Sequence, residues 1–175
     1  MPRTAGWTLI ELLLVAALLG VLGALATPAL NHALVRQRVI GAGNAFVGAL
    51  HHARTLAIGS GTRVILCPSH DGRHCMAHTR WDGGWLLALD RDHDDEPDAA
   101  PVLRGTADPM LRVVSTRGRT RLRFLPTGSA AGSNTTFTLC QTGLPESARL
   151  LVISNSGRVR QAAASRDTAA ACAAL

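Results

Sequence analysis

The chain contains no lysine and no tyrosine, and its 175 residues include only three tryptophans and three phenylalanines. With so few aromatic rings there is little to stack on nucleobases, so backbone phosphates should dominate any contact with nucleic acid. All 18 basic residues are arginine, against 12 acidic ones, for a formal charge of +6. A GC-rich genome produces the same arginine bias, so the count by itself says nothing about function. No Gly-x-Ser-x-Gly elbow, phosphate loop or dinucleotide fingerprint occurs. An enzyme is not expected, and neither a catalytic residue nor a cofactor can be named. No internal repeat is apparent.

Charge is nearly missing from the N-terminal region. Between Trp7 and Ala26 the one charged residue is Glu11. About 20 residues make a helix of roughly 30 Å, enough to cross a bilayer core. A carboxylate there costs roughly 2.5–3.5 kcal/mol on insertion scales, so Glu11 is expected to have a partner and a task. Arg3 precedes the stretch, which places the N-terminus in the cytoplasm and the rest of the chain outside. A secretory signal is the competing reading, since Ala24-Leu25-Ala26 before Thr27 fits an A-x-A cleavage site. Glu11 inside the apolar region argues against it, as does a helical pattern that continues past Pro28.

Beyond Pro28, Leu30, Leu34, Phe46, Leu50, Ala53 and Ala57 recur at spacings that predict one apolar helix face. Arg36, Arg38, His51, His52 and Arg54 fill much of the remainder. Gly41, Gly43 and Gly48 weaken this helix, by roughly 1 kcal/mol each against alanine. Gly59-Ser60-Gly61 ends it. Strands are predicted at Thr62–Pro68, Trp85–Asp90, Leu111–Ser115, Thr120–Leu125, Thr135–Cys140, Leu150–Ser154 and Arg158–Gln161. Helix followed by many strands is an α+β arrangement. The expected division is a leader at 1–6, a transmembrane helix segment at 7–28, its amphipathic continuation at 29–60, and a β-rich domain at 61–175. Asp90–Pro101 reads as an acidic loop, and Ala162–Leu175 as coil or a short helix.

Gly6-Trp7-Thr8-Leu9-Ile10-Glu11 resembles the processing site of type IV pilins and type II secretion pseudopilins. Leu50-His51-His52-Ala53-Arg54-Thr55-Leu56-Ala57-Ile58 resembles the helix end of the GspH/FimT branch of minor pilins. Leu66-Cys67-Pro68-Ser69, Asp71-Gly72, Cys75, and Trp81 with Gly84-Trp85 resemble that branch's first sheet. Phe124-Leu125-Pro126-Thr127-Gly128, Thr136-Phe137-Thr138-Leu139-Cys140 and Ser154-Asn155-Ser156-Gly157-Arg158-Val159-Arg160 follow in its order. The resemblance implies a long N-terminal helix, membrane-spanning in its first half, packed on an antiparallel β-sheet. It implies cleavage by a prepilin peptidase after Gly6 and methylation of the new amine at Trp7, where family members more often carry phenylalanine. Glu11 would then be the fifth mature residue, able to pair with the free amine of a neighbouring pilin and offset the burial of both charges. The implied localisation is the inner membrane, single-pass, with a periplasmic C-terminal domain. Assembly into an extracellular pilus or periplasmic pseudopilus would follow.

Arg112, Arg117, Arg119, Arg121 and Arg123 fall close together with no acid among them. On one strand, Arg119, Arg121 and Arg123 would share a face, repeating about every 7 Å, close to two nucleotide rises. Arg158 and Arg160 repeat that geometry with Val159 turned inward, and Gly157 permits a tight turn before them. Guanidinium forks bind phosphate in bidentate fashion. FimT-type minor pilins are associated with DNA uptake in natural transformation, and Gly157-Arg158-Val159-Arg160 matches their DNA-linked Gly-Arg-x-Arg motif. The resemblance therefore implies DNA as a partner, through Gly157, Arg158, Arg160, Arg117, Arg119 and Arg121. The alternatives are that the arginine row is a solvated face or pairs with the acidic loop of a neighbour. The chain would then be a structural or priming subunit without DNA binding.

Four cysteines in an exported chain suggest two disulfides, for which three connectivities exist. Cys67–Cys75, closing a short loop, and Cys140–Cys172, tying the tail to a strand, are expected. Cys67, His70, His74, Cys75 and His78 are dense enough for zinc, but a disulfide is simpler outside the cytoplasm. Asp90, Asp92, Asp94 and Glu96 alternate as calcium ligands might be arranged. No glycine stands where an EF-hand loop turns, so a solvated loop is expected there and no metal.

Overall fold

The computed structural model describes residues 8–106 and 108–175, without the side chains of residues 25–29, 31 and 32. Arg3, Gly6 and Trp7, and so the expected leader and processing site, lie outside the described residues. Helix α1 runs Leu9–Ser60. Thr8 opens it by accepting from the Glu11 N–H through its carbonyl (3.1 Å) and its hydroxyl (3.3 Å). Gly61 closes it with φ +62°, the left-handed conformation that glycine adopts without a Cβ penalty.

The chain divides into two compact units, Met1–Gln37 and Arg38–Leu175. The globular unit thus takes in the last six turns of α1 as well as the β-rich region expected to begin at residue 61. In the first unit, large apolar side chains stand exposed: Leu9 at 77%, Leu13 at 62%, Leu19 at 63%. Among the described residues no helix is long and apolar enough to cross a membrane. The span expected from the sequence includes Trp7 and the side chains of Leu25 and Ala26, which are outside that description.

In the second unit, α1 lies with two antiparallel sheets. The first sheet comprises β1 (Val64–Pro68), β2 (Trp85–Leu89), β3 (Leu103–Gly105) and β5 (Leu122–Phe124), in the order β3-β2-β1-β5. The second comprises β4 (Leu111–Ser115), β6 (Thr135–Gln141), β7 (Leu144–Ile153) and β8 (Val159–Ala163), in the order β4-β6-β7-β8. Phe46, Leu50, Ala53 and Ala57 of α1 are buried with Leu66, Leu87, Leu122 and Phe124 from the first sheet and Phe137, Leu139, Leu151 and Ile153 from the second. The helical spacing of the first four is the one the sequence predicts. Leu30 and Leu34, assigned to the same face, are exposed instead. Phe46 meets Phe137, Trp85 and Trp81 edge-on at 4.8, 5.5 and 6.0 Å, the arrangement ring quadrupoles favour. The Trp81 indole N–H donates to Ser115 Oγ at 3.1 Å, so its burial leaves no polar atom unpaired.

A disulfide joins Cys67 to Cys75, and another joins Cys140 to Cys172. With Cys67 and Cys75 bonded to each other, neither thiolate can ligate zinc. The tail forms helix α2 (Arg166–Ala173), whose first turn Ser165 caps by accepting from Thr168 N–H. Ala169 and Cys172 of α2 pack with Cys140 and Ala148, so the disulfide sits inside a small apolar cluster.

Three elements depart from the sequence expectation. Strand β3 was not foreseen; it is short and pairs with β2 along one edge. Strand β5 covers only Leu122–Phe124, so Thr120 and Arg121 lie outside it. Strand β7 starts at Leu144, through Pro145, directly after a Thr142-Gly143 hairpin turn with Gly143 at φ +76°. Pro145 is tolerated because β8 pairs only with Arg149–Ile153, leaving the first half of β7 with one ladder.

Candidate nucleic-acid interface

The entry to β8 is a tight turn, Ser154 to Arg158. Gly157 N–H donates to Ser154 O at 2.8 Å and Ser154 N–H to Arg158 O at 3.0 Å. The Ser154 hydroxyl accepts from Arg158 N–H at 3.2 Å. Gly157 is buried with φ +74°, and a Cβ built on it would overlap the carbonyl oxygen of Gly128. Two turns therefore meet backbone to backbone, and Ala130 N–H donating to Asn155 O at 2.9 Å ties them again. Val159 is half-buried against the core, while Arg158 and Arg160 are exposed on either side of it. Strand alternation puts both guanidinium groups on the solvent face. Among the described residues neither has a hydrogen-bond or ion-pair partner.

Arg117 comes to the same end of the second sheet from its other side. Thr116 N–H donates to Thr136 O, Thr135 pairs with Ile153, and Ile153 pairs with Val159. Three strand spacings of about 4.8 Å separate the two edges, roughly 14 Å. Arg117 is exposed and unpaired among the described residues. Arg119 is partly committed: its Nη1 donates to Gly132 O at 2.8 Å. The sequence reading passed over Arg54 as a phosphate ligand. It stands half-buried on α1, with its Nε 3.0 Å from where a Cβ of Gly128 would lie. Its placement four residues before Ile58 on the helix is local, but its approach to the Gly128 turn is a tertiary fact no periodicity carries.

Arg121 and Arg123 are spent. Arg121 Nε donates to Asp95 O at 2.8 Å and its Nη2 to Glu96 Oε1 at 2.5 Å, leaving the side chain 16% exposed. Arg123 grips both Asp95 oxygens, Nε to Oδ1 at 2.6 Å and Nη2 to Oδ2. Arg63 joins them, donating to Asp95 Oδ1 at 3.0 Å and to Asp90 Oδ2 at 2.8 Å. The row of three on one strand face is thus corrected. Arg119 and Arg121 precede β5, and Arg121 and Arg123 pair with the acidic loop of their own chain, not a neighbour's. Arg112 also turns away, donating to Pro109 O at 3.0 Å and lying 3.5 Å from Asp82.

The hydrogen bond from Arg123 holds the Asp95 carboxyl below the ordinary carboxylate range despite partial burial, with the charges of Arg123, Arg63 and Arg121 adding to the effect. A depressed folded-state pKa contributes stability that is present above the unfolded value, near 3.9, and is lost as pH falls through the folded one. Asp95→Asn should therefore cost about 1–3 kcal/mol near neutral pH and flatten the loss of stability below about pH 4. Thermal unfolding of both forms across an acid pH series checks this.

The sequence model described as "Type II transport protein GspH" matches residues 42–157, well over half of the chain. The chain belongs to the GspH family. Among solved structures, this GspH-family chain is similar to the type IV minor pilin FimU of Pseudomonas aeruginosa, with a TM-score of 0.60 at 20% identity, covering 73% of this chain and 90% of that one. It is also similar to the minor pseudopilin EpsH from the type 2 secretion system of Vibrio cholerae, with a TM-score of 0.50 at 15% identity, covering 70% and 94%. No curated protein sequence matches it. The shared fold is that of pilin-like subunits, an α+β arrangement of N-terminal helix and antiparallel sheets.

Proposed function

We propose that this GspH-family protein is a minor type IV pilin that captures extracellular DNA by its phosphate backbone for uptake in natural transformation. The observation that carries this is the pair Arg158 and Arg160, exposed and unpaired among the described residues, Arg158 closing the turn that holds the buried Gly157 and Arg160 two residues on along β8. Arg117, at the same sheet end, extends the track, with Arg119 and Arg54 as flanking cations. Arg121 is withdrawn from the DNA-binding set because Glu96 and Asp95 already satisfy it. In the same reading, a prepilin peptidase cuts after Gly6, the N-terminal helix holds the subunit in the inner membrane, and other pilins then cover its exposed leucines in the filament.

A helix that is apolar on all sides needs lipid or protein around it. That need also supports the second reading, a structural or priming subunit of a pilus or secretion pseudopilus without DNA contact. Binding of the full chain in detergent to duplex DNA separates the two. With three or four phosphates neutralised, log affinity should fall against log salt with a slope of roughly −3 to −4, alike for unrelated sequences. No binding at low salt selects the structural subunit.

A further inference from the structure

We propose that the loop after β2 is a calcium site, with Asp90, Asp92 and Asp98 as its carboxylate ligands. One carboxylate oxygen of each lies within 4.8 Å of the other two. That is the separation a single ion bridges when each ligand stands 2.3–2.6 Å from it, as around calcium.

A second, independent feature points to a cation. Asp90 is fully buried, yet only half of its carboxylate is satisfied. Its Oδ2 accepts from Arg63, while Oδ1 is buried with no hydrogen-bond partner among the described residues. A buried anionic oxygen left unpaired is costly, and native structures rarely keep one without a ligand. Asp92 commits one oxygen, Oδ1, to Asp94 N–H at 3.3 Å, and Asp98 commits Oδ2 to Arg91 N–H. Each has a second oxygen to offer. Among the described residues no sulfur or imidazole joins the group, and an all-oxygen donor set suits a hard cation and not zinc or copper. Three carboxylates are fewer than the six to eight oxygens calcium takes, so carbonyls and water complete the shell. Sites of this kind in extracellular modules bind in the range of about 10⁻⁴–10⁻³ M.

The ion would tie the end of β2 to Asp98 across the segment that carries Asp95 and Glu96. It would hold in place the carboxylates that grip Arg63, Arg121 and Arg123. The proposal is independent of the DNA reading.

The test uses the full chain in detergent, stripped with a chelator. Calcium at about 10 mM should raise the Tm by about 4 °C or more, with magnesium giving less than half of that. Equilibrium dialysis should find one calcium per chain. Asp92→Asn with Asp98→Asn, both exposed in the wild type, should keep the chelated Tm and lose both the rise and the bound ion. No rise with calcium, an equal rise with magnesium, or a rise retained by the double variant would overturn the site.

Discussion

Gly157→Ala should unfold far more easily than the wild type, by about 2–4 kcal/mol, although it adds a single methyl group. Two penalties combine. The residue sits at φ +74°, where an L side chain costs about 1–2 kcal/mol. The new Cβ would also run into the carbonyl oxygen of Gly128, which is backbone and cannot swing aside as a side chain would. Gly143 provides the control. It has φ +76° and nothing within 4 Å of a Cβ position, so Gly143→Ala should show the conformational penalty alone. Thermal unfolding followed by tryptophan fluorescence should rank wild type above Gly143→Ala above Gly157→Ala. Equal losses in the two variants would mean that the contact between the turns contributes nothing. The glycine of the Gly-Arg-x-Arg motif therefore builds the turn, and only in the proposed DNA reading do the two arginines after it contact a ligand.

Replacement of Glu11 by valine should leave membrane insertion intact and remove the subunit from filaments. The carboxylate is an acid among exposed leucines, and among the described residues no cation pairs with it. Removing it lightens the transfer into lipid by roughly 2.5–3.5 kcal/mol. If Glu11 pairs with a neighbour's N-terminal amine in the filament, the loss works the other way, because that amine would be left buried without a counter-charge. Breaking such a pair costs about 3–5 kcal/mol, or roughly two to nearly four powers of ten in incorporation. Immunoblots of membrane and sheared-filament fractions would measure both. Wild-type levels of the variant in filaments would remove the amine-pairing argument.

The inner face of α1 was legible because Phe46, Leu50, Ala53 and Ala57 repeat at helical spacing, and the β8 entry because Val159 alternates with two arginines. The fate of the central arginine row was not. Alternation says which face a side chain takes, and nothing about what waits there. Asp95 lies 28 residues before Arg123, and its pairing is a consequence of how the loop after β2 folds back over β1 and β5. The same long-range closure turned the alternating acids from a solvated loop into a half-satisfied buried carboxylate at Asp90. A strand at Leu150–Ser154 misses the first half of β7, where Pro145 fits because that stretch has a single neighbouring strand.

The division of the arginines into free and committed groups is the claim on which the DNA reading stands, and one salt series measures it. Duplex binding by the full chain would be followed by gel shift from low to moderate salt for three forms. These are the wild type, Arg158→Gln with Arg160→Gln, and Arg121→Gln with Arg123→Gln. The first pair should weaken binding alike on all sequences and reduce the salt slope by about two, with thermal stability unchanged. The second pair should lower thermal stability by releasing Asp95 and Glu96, while the slope stays that of the wild type. A wild-type slope in the Arg158–Arg160 variant, or loss of slope in the Arg121–Arg123 variant, would contradict it.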